Sequence, residues 1–344
     1  MMIDLPIDAL AILHARMPGS IPFYRRLRYV GDEMDVQLSD FPAEEAALLQ
    51  RLYAALQTLL PILRDHRDNP DQVIPQIRAL YEQVQWAELN RSLRTLSKTY
   101  ADDDPANSPQ RINQVLHDLR GGAYTALAGF MQLIMLDRVE MISLNRMFFL
   151  CRDQLKIMRG ALRGIDDVGY ARDNTTNLHS TRLLLEKWQL GLHQVREQQA
   201  QIVVDGRYDG GIAERCLEFS ALDRVIYNLI NNAVRYSADD HVLFAFAPVL
   251  ADDPPKDLRF AVANRISVEQ REALERNFPT GVGTLFLGGF TTGGHGLGLR
   301  ICADFVGNAY GLNSTEQGLA EGHFGALIED DFFITWVHWP IAAD

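Results

Sequence analysis

Residues 221–237 read ALDRVIYNLINNAVRYS, a stretch whose apolar spacing predicts a helix. Asn228 and Asn232 are four apart and share one face of it, while Leu229, Ile230 and Ala233 go to the other. Amide oxygens are hard, neutral ligands suited to Mg²⁺, an ion that keeps several waters and binds substrate phosphates as well. Two helical asparagines also suit plain surface solvation. Arg235 and Tyr236 follow at the helix end, one able to pair with phosphate and the other to pack on a base or ribose. For the whole set, Asn-x-x-x-Asn-Ala-x-Arg-Tyr, solvation alone is a poor account.

Downstream, GGHGLGL (293–299) places Gly294, Gly296 and Gly298 where a loop becomes a helix. Glycines let the backbone approach an anion, and the free N–H groups of a first helical turn point at it. A plain flexible loop fits the same letters. The stretch is neither a Walker loop, since no Lys-Ser/Thr follows, nor a Rossmann turn, since no strand directly precedes it. The segments HVLFAFAPV, DLRFAVAN, HFGALIED and DFFITWVHWP read as strands, and helices are expected at about 180–199, where one leads to QIVVDGRYD, at 268–277 and from the glycine turn to about 309. From about residue 171 this order predicts a layered sheet with helices on one face.

Upstream the chain reads as helical. Asp40 is placed to cap a helix, Pro42 lies near its first turn, and Leu49, Leu52, Leu56, Leu59 and Leu63 form its stripe. Further helices are expected at 71–84 and 86–100, before the acidic, proline-bearing ADDDPANSPQ (101–110). Ile112, Leu116, Leu119, Ala123, Ala126, Phe130 and Leu133 then step by alternating fours and threes. After DRVE (137–140), Leu144, Phe148, Cys151, Leu155, Met158, Leu162 and Ile165 repeat that rhythm. Such a pair folds back as an antiparallel hairpin. Its seam is covered either by a second copy, as a four-helix bundle across a dimer axis, or by residues 1–100 of the same chain. His117 lies one residue past Leu116, beside Asp118, and flanks the seam. It is either a reactive group or a helix histidine with an acidic neighbour.

Over 344 residues the net charge is −12, with acidic groups spread along the chain, which argues against a grip on nucleic acid. No uncharged apolar run reaches the roughly 18 residues of a spanning helix, so no membrane insertion is expected. Cys151, Cys216 and Cys302 make neither a disulfide framework nor a zinc spacing, which suits a cytoplasmic protein.

NLINNAVRYS resembles the N box, and GGHGLGL the second glycine box, of the histidine-kinase-like ATPases. FTTGG (290–294) resembles the end of that family's ATP lid, and HDLRGGAYTAL the H box of sensor histidine kinases. The motifs stand in the family's order over about residues 108–344. The resemblance implies a helical N-terminal region of unknown role (1–104), a dimerisation and phosphotransfer hairpin (105–170), and an ATP-binding α/β sandwich (171–344). It implies His117 as phosphoacceptor, Asp118 as its general base, and Asn232 as Mg²⁺ ligand with Asn228 nearby. Arg235 and Tyr236 would line the nucleotide, Asn264 would meet adenine, and Gly294, Gly296 and Gly298 would hold the phosphates under a lid of residues 279–293, with Thr291, Thr292 and Leu297 also among the nucleotide-binding residues. The expected activity is ATP- and Mg²⁺-dependent autophosphorylation by a cytoplasmic homodimer, followed by transfer to the receiver domain of a response regulator.

The chain departs from the pattern in three respects. In VANRIS (262–267), Asn264 stands for the aspartate of the first glycine box and Ile266 for a glycine. Gly122 replaces the H-box proline. Gly121 stands where phosphatase-active members carry Thr or Asn, so weak or absent phosphatase activity is expected. Two other readings remain open: a phosphotransfer or scaffold protein with a relic ATPase domain, and a serine protein kinase of the anti-sigma type.

Overall fold

The computed structural model describes residues 7–17, 19, 21–22, 24, 36–66, 69–96, 112, 115–116, 119–120, 122–138, 144–189, 192–195, 198–249, 254–288 and 298–341. The chain divides into two compact units, one of Val30–Thr175 and one of Met1–Tyr29 with Thr176–Asp344. The first 29 residues therefore go with the sheet and the next 75 with the hairpin, a division that composition and periodicity did not indicate.

The first unit is helical: α2 (Ala43–His66), α3 (Pro70–Gln83), α4 (Trp86–Thr95), α5 (Gly122–Met135), α6 (Leu144–Ala161) and α7 (Asp167–Asp173). Asp40 serves a 3-10 turn, Leu38–Asp40, by accepting from the Gln37 N–H at 2.7 Å, and not α2 as the sequence suggested. The stripe Leu49, Leu52, Leu56, Leu59 and Leu63 is wholly buried. It packs α2 against α6, where the Cys151 thiol meets the Leu56 carbonyl at 3.4 Å. By length and composition α2 is also long and apolar enough to cross a membrane, although Glu44, Glu45, Arg51, Arg64 and Asp65 leave it without the uncharged run on which the expectation of no insertion rested.

α5 and α6 pack together as the predicted hairpin. α3 closes on its tip, where Arg78 pairs with Asp137 and donates to the Ile134 carbonyl at 3.1 Å. The seam residues Leu116, Leu119, Ala123 and Ala126, with Cys151 and Met158, are fully buried within one chain. Covering by α2 and α3 removes the wet seam from which a second copy was argued. At the far end Arg159 pairs with Asp173 at 2.6 Å and donates to the Tyr53 hydroxyl at 3.0 Å. Burial, together with the Asp166 carboxylate, pushes the Tyr53 phenol up to about 12.

The second unit holds a six-stranded sheet and a two-stranded one. The strands are β1 (Thr176–Ser180), β2 (Leu192–Val195), β3 (Gln198–Gly206), β4 (Gly211–Arg215), β5 (His241–Pro248), β6 (Asp257–Arg265), β7 (Phe324–Glu329) and β8 (Phe332–Pro340). The large sheet runs β2-β3-β5-β6-β8-β7, with β3 and β5 parallel and its other neighbours antiparallel; β1 pairs with β4. The helices are α1 (Ala9–Arg16), α8 (Arg182–Trp188), α9 (Cys216–Tyr236), α10 (Val268–Asn277), α11 (Gly298–Tyr310) and α12 (Thr315–Ala320).

The helix expected at 180–199 is broken up: α8 spans seven residues, and β2 and β3 form a hairpin after it. The antiparallel pairing of Leu192–Val195 with Gln198–Gln201 overrides local helical preference there. Strand alternation puts Phe244, Phe246 and Phe260 on one side, with ring centroids 5.7–6.3 Å apart. Leu243, Ala245, Ala261 and Ala263 form the other side, against Ala9, Leu10 and Leu13 of α1.

Leu56→Ala is expected to cost ~2–5 kcal/mol of unfolding free energy, because α2 cannot collapse onto the void left at its contact with α6. Denaturant titration of the full chain checks this; a loss within measurement error would show that the α2 stripe is not core.

Candidate functional site

α9 is buried without interruption from Leu217 to Ile230, so its polar side chains require partners inside the protein. Asp223 pairs with Lys187 of α8 at 2.5 Å, both side chains excluded from solvent, and the Lys187 ammonium lies 4.3 Å from the Tyr227 ring centroid. Glu218 accepts from the Glu214 N–H at 2.8 Å. Arg224 lies over the Phe305 ring at 4.4 Å, and this joins α9 to α11. On β2, the fully buried His193 meets Asn231 Oδ1 through Nε2 at 2.6 Å; the amide oxygen only accepts, so Nε2 carries the proton. None of these anchors was singled out from sequence. Asp223 and Glu218 within an otherwise apolar helical run were the available signal.

So anchored, α9 turns Asn228, which is buried, and Asn232, which is half-buried, toward the start of α11. A methyl group on Gly298 would come 3.4 Å from Asn232 Nδ2, 3.8 Å from its Oδ1 and 3.9 Å from Asn228 Oδ1. Two amides thus face the first turn of a helix whose leading N–H groups have no partner within it. The backbone approaches them closely because position 298 carries no side chain.

Asn264 is buried on β6. Since Ala261 and Ala263 face α1, the alternation places Asn264 with Phe260 and Val262 on the side where α9 packs. Its Nδ2 donates to the Arg265 carbonyl at 3.0 Å, which fixes the amide orientation and leaves Oδ1 as the acceptor. Ile266, next along, is itself buried, and its N–H donates to the Asp331 carbonyl at 2.8 Å. At the end of α9 the Arg235 guanidinium lies 5.1 Å from the Tyr236 ring centroid. The Tyr236 carbonyl accepts from Gln270 of α10 at 3.1 Å, so this corner is tied to the helix after β6.

Of the residues expected at the site, Asn228, Asn232 and Gly298 meet; Asn264, Arg235 and Tyr236 lie on elements packed around them. His117, Asp118, Thr291, Thr292, Gly294, Gly296 and Leu297 lie outside the described residues. Among the described residues no cluster of His, Cys, Asp and Glu is arranged to hold a metal ion, so a cation here would depend on amide oxygens and on the phosphates it accompanies.

Neither a family model nor a curated protein sequence matches the chain. Solved structures do. The mycobacterial sensor histidine kinase MprB is similar over 42% of this chain and 84% of its own, at 16% identity and a TM-score of 0.28. Full-length ShkA in complex with AMPPNP is similar over 74% of this chain and 46% of its own, at 18% identity and a TM-score of 0.30. The Acinetobacter baumannii histidine kinase AdeS is similar over 66% of this chain and 98% of its own, at 15% identity and a TM-score of 0.25.

The chain resembles sensor histidine kinases. At these TM-scores the likeness carries no site or activity across, and both rest on the residues above.

Lys187→Met is expected to destabilise the sheet unit by ~3–5 kcal/mol, since it strands the Asp223 charge in the core, whereas adding Asp223→Leu restores most of the loss. A double-mutant cycle in urea reads the difference. Additive losses would show that the pair is not coupled.

Proposed function

We propose that the chain is an ATP-dependent protein-histidine kinase of the two-component type, phosphorylating His117 and passing the phosphoryl group to an aspartate on the receiver domain of a response regulator. The observation that carries this reading is the approach of Asn228 and Asn232 to the backbone at Gly298, on the same side of the sheet as Asn264. Those residues fit a Mg²⁺-bound nucleoside triphosphate. The amide oxygens suit the cation, the opening turn of α11 suits phosphate, and a side chain at position 298 would occupy the space between them.

Asn264 Oδ1, held as an acceptor, suits the exocyclic amine of adenine and opposes a base carrying a carbonyl there. Arg235 supplies positive charge at the end of α9. MgATP, when bound, supplies the γ-phosphoryl group. Neutral imidazole is abundant at neutral pH, so His117 is available as nucleophile while Asp118 orients the ring and takes its proton. The buried thiols Cys151 and Cys302 suit a reducing, cytoplasmic setting. Homodimerisation through residues 105–170 belongs to the same reading, with the second copy on surfaces other than the seam that α2 and α3 already cover.

One observation favours a second reading. Ile266, two residues after Asn264, is buried where the resemblance places a glycine. On that reading the sheet unit is a relic and His117 receives phosphate from another kinase. Incubation of the full chain with Mg²⁺ and γ-labelled ATP, beside His117→Gln and Asn232→Ala, separates the two. Acid-labile, alkali-stable label is expected, absent in His117→Gln and reduced by about a hundredfold or more in Asn232→Ala. An unlabelled chain that binds no nucleotide would overturn the kinase reading. Ile266→Gly is expected to tighten nucleotide binding, as measured by equilibrium titration; unchanged affinity would show that position 266 does not limit the site.

A further inference from the structure

The sheet side opposite α9 is covered by the chain's own beginning. Asp8 accepts from the Ala11 N–H at 3.0 Å, capping α1, and pairs with Arg207 at 3.0 Å just beyond β3. Ala9, Leu10 and Leu13 pack on strands β3, β5, β6 and β8. Arg16 pairs with Glu329 at the end of β7. Beyond the helix, Ile21 is buried, the Tyr24 N–H donates to the Tyr310 carbonyl at 3.3 Å, and the Tyr24 hydroxyl binds Glu321. The described residues between Ile7 and Tyr24 thus form a strap. They are continuous in sequence with the helical unit at Val30, and the rest of the sheet unit resumes only at Thr176, so among the described residues the strap meets the sheet through non-covalent contacts.

His323 is the group at which the strap closes. Its side chain is fully buried, and Nε2 lies 2.8 Å from the Pro22 carbonyl. A carbonyl only accepts, so Nε2 carries the proton and the neutral ring has a bare Nδ1. That nitrogen and Glu321 Oε2 are 3.8 Å apart, and neither has a hydrogen-bond partner among the described residues. The Glu321 carboxylate is engaged on its other oxygen by Tyr24 of the strap and by Gln317 of α12 at 3.2 Å. From α11 the Tyr310 ring packs edge-on at 4.7 Å, with its hydroxyl on Asp257 of β6. From β8, His338 donates to the His323 carbonyl through its backbone N–H at 2.8 Å and meets it through Nδ1 at 3.1 Å, while Arg259 of β6 donates to His338 Nε2 at 3.0 Å.

We propose that this strap is detachable and that its docking on the sheet is released by protonation of His323. Burial holds the His323 imidazole below its ordinary range, outweighing the Pro22 carbonyl and the Glu321 charge, which favour the proton. His338 is pushed down to about 3 by burial and by Arg259, so it stays neutral across the same interval. When the strap lifts, water reaches the His323 ring and its affinity for the proton rises toward that of free imidazole, near pH 6.5. The docked state binds the proton less well than the released state. The contribution of His323 to docking is therefore complete above about pH 6.5 and is lost as pH falls through the lowered value. The inference concerns docking alone and stands whether or not His117 is phosphorylated.

The test is hydrogen exchange of the amides of residues 9–24 in the full chain, corrected for intrinsic rates, in wild type and His323→Gln. Glutamine keeps an N–H for the Pro22 carbonyl but does not titrate. Wild-type protection is expected to fall by about tenfold from about pH 7.5 to about pH 5.5, and protection in His323→Gln to stay within about twofold. Equal protection at both pH values in wild type, or an equal fall in His323→Gln, would overturn the proposal. Should His323→Gln not fold, ring titration of His323 by nuclear magnetic resonance in wild type and Leu13→Asp decides. A higher midpoint in Leu13→Asp, where the strap is unseated, is expected, and an unchanged midpoint overturns the proposal.

Discussion

The complete burial of α9 from Leu217 to Ile230 is the constraint from which the rest of the sheet unit follows. A helix enclosed on every side ordinarily carries apolar residues all round, yet this one carries Glu218, Asp223, Arg224 and Asn228. Each charged group is met from a different direction: a backbone N–H before the helix, a lysine on α8, an aromatic ring on α11. These contacts fix α9 in rotation as well as position. The asparagines consequently meet Gly298 because the opposite face of the helix has no freedom to turn.

Legibility in the sequence followed the physical range of each interaction. β5, β6, β7 and β8 were readable because strand alternation is local, and the meeting of Asn228, Asn232 and Gly298 could be anticipated because their chemistry is concentrated in short stretches. The α5–α6 hairpin was readable from its four-three rhythm. β1, β2 and β4 were not, since each is short and is defined by a partner: β2 by β3, and β1 by β4 some 35 residues away. The Lys187–Asp223 pair was likewise hidden, because one letter in each of two helices says nothing until the helices meet. The covering of the hairpin seam depended on the same kind of information. Leu56 and Cys151 are separated by 95 positions, and periodicity shows that a seam exists without showing what fills it.

The division of the chain has a further physical consequence. Two segments, one before Val30 and one after Thr175, connect the helical unit to the sheet unit. A strap that seats on the sheet therefore adds a second tether to the covalent connection at Thr175, and its release leaves one. The Arg16–Glu329 and Asp8–Arg207 pairs lie at the exposed rim, where ion pairs contribute little, so the apolar contact of Leu10 and Leu13 and the polar contact at Pro22 carry the attachment.

The account stands or falls on whether the space between Asn228, Asn232 and Gly298 takes a nucleotide. Calorimetric titration of MgATP into the full chain, and into Gly298→Val with its melting temperature measured alongside, tests this most directly. The account predicts single-site binding by the wild type and none by a Gly298→Val variant that still melts cooperatively. Absence of binding by the wild type, or equal binding by a folded variant, would contradict it.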